Sequence, residues 1–314
     1  MRLSVIIPTK NRANMLERAL KSITNQSLSQ DYFEVIVVDN GSIDNTRAVV
    51  ESFLGKIKNL RYFYAGAPGL HVGRHMGLKK AIADITVFCD DDIEAFPTWL
   101  EGICESFERE DVVLVGGKVL PKFESFPPDW LIRMWEKSKL IAYLSVIDLG
   151  GEVKYINPYY VFGCNFAIRK KILLEAGGFH PDGMPAELIK YRGDGETYVS
   201  DFIRKKGYKT LYNPKASVFH IITKERMTKE YFATRAFNQG ISDSYTDIRN
   251  NNKKNLLKIR MRIFLKKFLL KETLIEESYL KGYLYHQNEA KKDPQLMEWI
   301  KKENYLDSED ILWT

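Results

Sequence analysis

The chain has 314 residues, 45% of them hydrophobic and 28% charged, with a formal net charge of +6. That is enough for one large domain with an appendage or two modest domains with a real core, which excludes a disordered polypeptide. The three cysteines are odd in number and widely spaced, which argues against a disulfide framework and for reduced core thiols, as in cytosol.

No apolar run reaches the ~18–20 residues of a bilayer span, and no secretory leader precedes the first strand. The expectation is a cytoplasmic protein, soluble or peripheral on the inner face of the cell membrane.

Leu3-Ser4-Val5-Ile6-Ile7-Pro8-Thr9 is an apolar run that stops at a polar turn and reads as a buried strand. Met15, Leu16, Ala19, Leu20 and Ile23 then recur at helical spacing. A second apolar run ends at Asp39-Asn40-Gly41-Ser42. The pattern next predicts a helix over 46–53, a strand over 60–64, a helix over 73–83 and a strand over 85–89. Strands of this kind alternating with helices form a mostly parallel sheet covered on both faces. Ligands bind beyond the carboxyl ends of such strands, so Pro8-Thr9, Asp39 and the end of the fourth strand converge on one crevice.

The fourth strand closes on Asp90-Asp91-Asp92. Like charges this close repel, and a folded chain keeps them where water, helix N-termini or a divalent cation offsets the repulsion. A metal site and a solvated acidic turn both fit the triplet taken alone.

Further on, 123–158 carries Trp130, Trp135, Tyr143 and Tyr155, whose faces suit sugar stacking or lid packing. Arg192-Gly193-Asp194-Gly195-Glu196 precedes Tyr198, Val199, Phe202 and Ile203 at helical spacing, which places both carboxylates at a helix N-terminus, as caps or as a general base. His220 is expected at the end of a strand after the Asn213-Pro214 turn.

Between Lys253 and Lys271 eight residues are Lys or Arg, none is acidic, and ten are apolar. On a helix the apolar residues form two stripes, one of Leu257, Met261, Phe264 and Phe268, the other of Leu256, Ile259, Ile263 and Leu270. A helix buried on two sides is expected, with lipid, a second subunit or solvent as the outer neighbour.

Val5-Ile6-Ile7-Pro8-Thr9-Lys10-Asn11-Arg12 opens a series that continues with Val37-Val38-Asp39-Asn40-Gly41-Ser42 and Asp44-Asn45-Thr46. Gly69-Leu70 with Arg74 and Gly77, Phe88-Cys89-Asp90-Asp91-Asp92, Gly163-Cys164-Asn165-Phe166-Ala167-Ile168, Gly193-Asp194-Gly195-Glu196 and the stretch from Pro214 to His220 complete it. In order and spacing these resemble the inverting family 2 glycosyltransferases of the GT-A fold, over about residues 1–222.

The resemblance implies a Rossmann-like α/β catalytic domain with a nucleotide-sugar half (1–115), an acceptor half (116–222) and a helical extension (223–314). It implies donor contacts from Pro8, Thr9, Asn11, Arg12, Asp39, Asn40, Gly41, Arg74, Asp90 and Asp91, with Asp39 facing a uracil ring. Asp92 and His220 would hold Mn2+ or Mg2+, and Asn165, Phe166 and Gly178 would lie on the acceptor side. The family commonly has Glu-Asp at the base. Counting back from Gly207-Tyr208 puts Glu196 on that Asp and Gly195 in place of the Glu, so Glu196 is the first candidate base and Asp194 the second.

The implied donor is a UDP-sugar, with guanosine or thymidine donors as alternatives, and the implied acceptor is a saccharide or lipid-linked saccharide. Nucleic acid is not an expected partner; an anionic membrane surface and a second copy of the chain are candidates for the basic C-terminal region. A non-catalytic sugar-nucleotide-binding scaffold is the rival from another class. A nucleotidyltransferase would carry a Gly-rich basic loop where residues 8–12 have no glycine. A processive synthase would show Gln-x-x-Arg-Trp, which Gln239-Gly240-Ile241-Ser242 does not match.

Overall fold

The computed structural model describes residues 2–306. Its first half alternates strands and helices: β1 (Leu3–Thr9), α1 (Ala13–Thr24), β2 (Phe33–Asp39), α2 (Thr46–Ser52), β3 (Leu60–Tyr64), α3 (Leu70–Lys80) and β4 (Ile85–Phe88). β1 and β2 are buried along their whole length, as expected of strands covered on both faces. Helix α1 turns Leu16, Ala19, Leu20 and Ile23 inward. Helix α3 begins and ends three residues earlier than the apolar spacing suggests. Gly69, at φ 112°, turns the chain into it, and Ala81 leaves it in an extended conformation. A Cβ on Gly73 of α3 would stand 2.2 Å from Asn40 Oδ1, so only glycine lets this helix lie against the end of β2.

The chain then runs through β5 (Ile93–Ala95), α4 (Trp99–Ser106), β6 (Val112–Gly116), β7 (Val119–Phe123), α5 (Asp129–Ser138), β8 (Leu140–Ile141), β9 (Val146–Ile147) and β10 (Lys154–Tyr155). It continues with β11 (Phe166–Arg169), α6 (Lys170–Glu175), α7 (Glu196–Lys205), β12 (Lys209–Tyr212) and β13 (Val218–Ile222). The main sheet has eight strands in the order β10-β12-β6-β11-β4-β1-β2-β3. All are parallel except β11 and β10, so the fold is mixed and mostly parallel.

A second sheet, β5-β13-β7-β9-β8, was not legible in the sequence, because its strands are two to five residues long and lie far apart in the chain. The insert 123–158 supplies α5, β8 and β9 to it. Trp130 and Tyr143 pack edge-on against Phe232 at 5.1 and 5.7 Å, which makes these two aromatic residues packing groups.

After Ile222 the described chain is helical: a 3₁₀ turn (Lys224–Met227), then α8 (Lys229–Arg249), α9 (Leu257–Phe268), α10 (Leu274–Lys292) and α11 (Pro294–Lys301). Helices α8 and α10 cross closely at Gly240 and Gly282, where a Cβ on Gly282 would meet Phe237 O at 2.0 Å. Leu270 lies beyond the end of α9 in a left-handed conformation, exposed, so it drops out of the stripe expected with Leu256, Ile259 and Ile263. No helix among the described residues is long and apolar enough to cross a membrane. Cys89, Cys104 and Cys164 are all buried and unpaired.

Candidate functional site

The carboxylate triplet sits where the chain leaves the first sheet for the second. β4 pairs with β1 up to Ile6↔Phe88, and five residues later β5 begins to pair antiparallel with β13. That second pairing sets His220 opposite Ile93 and bonds Ile221 N to Asp92 O at 2.9 Å. His220 thus arrives beside Asp92 from 128 residues away. It lies in the middle of β13, not at its end as the sequence suggests, because the strand continues to Ile222.

Each carboxylate of the triplet is matched by a guanidinium. Asp90 Oδ1 faces Arg74 Nη2 at 3.4 Å, and Asp91 accepts from Arg12 Nη1 at 2.6 Å and from Thr9 Oγ1 at 2.7 Å. Asp92 Oδ2 accepts from Arg12 Nη2 at 2.7 Å and Arg226 Nη1 at 2.8 Å. Burial alone would push the Asp92 carboxyl up. The facing His220 and the two guanidinium groups outweigh it and hold the carboxyl far below the usual carboxylate range.

The donor set suits a divalent cation. Asp90, Asp92 and His220 each offer one ligand atom, all within 4.8 Å of one another. His220 Nδ1 lies 2.8 Å from the carbonyl oxygen of Leu144, which can only accept, so this nitrogen carries a proton. Nε2 then faces Asp92 Oδ1 at 3.2 Å. Nε2 either donates to Asp92 or, without a proton, offers its lone pair beside the carboxylate to a bound cation. Two ligand atoms on one octahedral ion with ~2.1 Å bonds stand about 3 Å apart, close to this spacing. Here the bridging cation is Arg226, whose Nη1 is 3.3 Å from His220 Nε2. Arg226 lies in the 3₁₀ turn after β13, and no periodicity or motif in the sequence marked it.

The two candidate bases are treated differently by the fold. Glu196 opens α7 with its side chain 25% exposed; Oε1 accepts from Gly163 N at 3.1 Å and Oε2 faces Arg74 Nη1 at 3.4 Å. Arg74 therefore links Glu196 to Asp90. Its own Nε is buried with no hydrogen-bond partner among the described residues. Asp194 is only 7% exposed and both its oxygens are taken, by His180 Nδ1 at 2.6 Å and Thr246 Oγ1 at 2.7 Å. It joins the 180s loop to helix α8. Asp194→Ala should therefore cost about 1–3 kcal/mol of stability, read as a lower urea midpoint, by leaving His180 Nδ1 unpaired in the interior, while Thr246 Oγ1 keeps its bond to Ser242 O.

A cleft of about 250 Å³ runs along this region, lined among others by Pro8, Thr9, Arg12, Asn40, Asp90 and Asp91. Asp39 lies behind it. One oxygen caps the turn through Ser42 N at 2.7 Å and the other accepts from Tyr62 O–H at 2.8 Å, so the turn-capping role is the one the structure displays. Asn11 is likewise engaged in the scaffold. At φ 53° it accepts from Ile43 N at 2.8 Å and so holds the turn that contains Gly41.

On the expected acceptor side, Asn165 is buried, its Oδ1 accepting from Trp99 Nε1 and its Nδ2 donating to Ala216 O, both at 2.9 Å. Phe166 is buried edge-on against Phe179, and Gly178 (φ 86°) is closed in by His75 and Leu306. All three sit beneath a surface and none reaches into the cleft, so direct contact with an acceptor is not what their positions offer.

A mixed sheet with a short second sheet and an acidic triplet at the crossing is the arrangement of the GT-A glycosyltransferase fold. The profile of Glycosyl transferase family 2 matches residues 4–177, more than half of the chain, and the chain belongs to that family. It is 24% identical over 260 residues to the glucosyl-dolichyl phosphate glucuronosyltransferase of Haloferax volcanii, covering 79% of this chain and 78% of that protein. It is 38% identical over 185 residues to the GalNAc(5)-diNAcBac-PP-undecaprenol β-1,3-glucosyltransferase of Campylobacter jejuni, covering 58% and 55%.

Several curated relatives are spanned by about half of their length or less, as with validoxylamine A glucosyltransferase of Streptomyces hygroscopicus (36% identical over 200 residues; 57% of this chain, 47% of that protein). Among solved structures, mannosyltransferase PcManGT of Pyrobaculum calidifontis, in complex with GDP-Man and Mn2+, matches with a TM-score of 0.55 at 18% identity over 98% of this chain and 85% of that one, a likeness of fold.

Proposed function

We propose that the protein is an inverting, metal-dependent glycosyltransferase. It moves a hexosyl or N-acetylhexosaminyl group from a UDP-sugar to a hydroxyl of a saccharide or lipid-linked saccharide during assembly of a cell-surface glycan. The observation that carries this reading is the continuous array Glu196–Arg74–Asp90, with Asp92 and His220 beside it, at the edge of the cleft. Two relatives whose names specify polyprenyl-linked substrates support a lipid-linked acceptor and a peripheral position at a membrane face.

Glu196 is partly exposed and accepts its bonds on fixed donors, so it can take the proton of the acceptor hydroxyl as that oxygen attacks the anomeric carbon. Attack from the face opposite the leaving diphosphate inverts the configuration. Arg12 and Arg226 turn from Asp92 toward the diphosphate as its charge grows, and Arg74 holds Glu196 in place. When bound by Asp90, Asp92 and His220, Mn2+ or Mg2+ supplies Lewis-acid neutralisation of the diphosphate.

The test is a panel of UDP-, GDP- and dTDP-sugars with and without Mn2+, read as released nucleotide. Slow metal-dependent hydrolysis of a UDP-sugar is expected. Thermal stabilisation by nucleotide-sugars with no turnover under any condition, including with added lipid-linked or simple glycan acceptors, would instead make the chain a binding scaffold.

A further inference from the structure

Helix α9 presents an apolar surface that the chain itself does not cover. Its inner side is packed: Ile263 is buried, and Leu256 and Ile259 are half-buried. The opposite side carries Leu257, Met261, Phe264, Leu265 and Phe268, with Met261, Phe264 and Phe268 exposed by 61%, 69% and 78%. Of the two stripes that the sequence contains, the fold buries one and leaves the other open.

Cations border the open stripe on both sides. At helical spacing Lys258 and Arg262 fall along one edge and Arg260 and Lys267 along the other. Arg262 and Lys267 are partnered by Glu276 and Glu277 of α10. Lys253, Lys258, Arg260 and Lys271 have no ion pair among the described residues. An apolar strip between rows of long basic side chains is the pattern of a helix lying in a bilayer interface, with aromatic and aliphatic groups below the headgroups and the cations level with the phosphates. A second copy of the chain is a poorer occupant, because a two-fold contact through this strip would set its basic edges against each other.

We infer that the open face of α9 docks the protein on an anionic phospholipid surface, with the helix parallel to the membrane plane. This deepens the proposed transfer to a lipid-linked acceptor, and it rests on that reading only for its purpose; the lipid contact itself follows from the helix. Helix α9 packs on α10 and α10 on α8, whose Thr246 bonds Asp194 two residues from Glu196. Docking would therefore fix the orientation of the site toward the membrane.

The test is flotation of the full chain with vesicles of phosphatidylcholine alone or mixed with phosphatidylglycerol, without acceptor, while donor hydrolysis is followed in the same samples. Binding should be about tenfold or more tighter to the anionic vesicles and should weaken as salt is raised. The double variant Phe264→Ser/Phe268→Ser should lose binding to both vesicle types, and Lys258→Glu/Arg260→Glu should lose only the preference for the anionic lipid. Neither should change donor hydrolysis in solution.

Equal binding of the native chain to both vesicle types, or none, with donor hydrolysis intact would overturn the docking inference alone. Vesicle binding without turnover of any donor, also in parallel samples with lipid-linked or simple glycan acceptors added, would overturn the transfer reading alone. A dimer in sedimentation that dissociates in Phe264→Ser/Phe268→Ser, with no vesicle binding, would assign the face to a second copy and overturn lipid docking.

Discussion

Glu196→Gln should lower kcat by about a thousandfold or more while leaving the KM for the nucleotide-sugar nearly unchanged. The substitution is close to isosteric: its amide oxygen can still accept from Gly163 N, so the start of α7 should keep its shape. What is lost is the ability to take a proton, which matters only as the acceptor oxygen attacks. Nucleotide-sugar binding should report an intact cleft. Asp194→Asn should behave differently, with a lower unfolding midpoint and a much smaller change in kcat, because Asp194 is saturated by His180 and Thr246. A thousandfold loss in Asp194→Asn beside a mild effect in Glu196→Gln would move the base to Asp194.

Asp92→Ala should remove metal-dependent turnover, again by about a thousandfold, since charge neutralisation by the bound ion is worth several kcal/mol in the transition state. Arg12 and Arg226 both reach solvent, so losing their shared carboxylate should leave the fold standing. The second readout is independent of catalysis: the thermal shift on adding Mn2+ should be present in the native chain, absent in Asp92→Ala and reduced in His220→Ala. Full activity of Asp92→Ala in the presence of a chelator would sink the metal assignment.

Arg226 complicates the metal step in a way the sequence did not foretell. It bridges Asp92 and His220 where the ion would bind, so metal entry requires its guanidinium to leave. Its sequence neighbourhood, Thr223-Lys224-Glu225-Arg226-Met227, has no distinguishing pattern, and only the turn after β13 aims it back at Asp92.

The sequence by itself determined the first half of the fold and the ends of its strands. Burial on two faces demands continuous apolar strands, and these can stop only where polar groups meet water or ligand, so Thr9, Asp39 and Asp90 were placed at one edge by local pattern alone. It also located α7 and its two acidic residues, because a 3.6-residue period is a local property.

Tertiary structure decided which of those groups have a free face. Asp194 and Glu196 are two residues apart and indistinguishable by composition, yet α8 and the 180s loop consume one and leave the other open. Asp39 and Asn11 were taken up by turns, and Asn165 by Trp99, for the same reason: a polar group near a backbone or side-chain partner is satisfied there, and that partner comes from a distant segment. The same holds for α9. Its two apolar stripes are written in the sequence, but which one faces inward depended on where α10 packed.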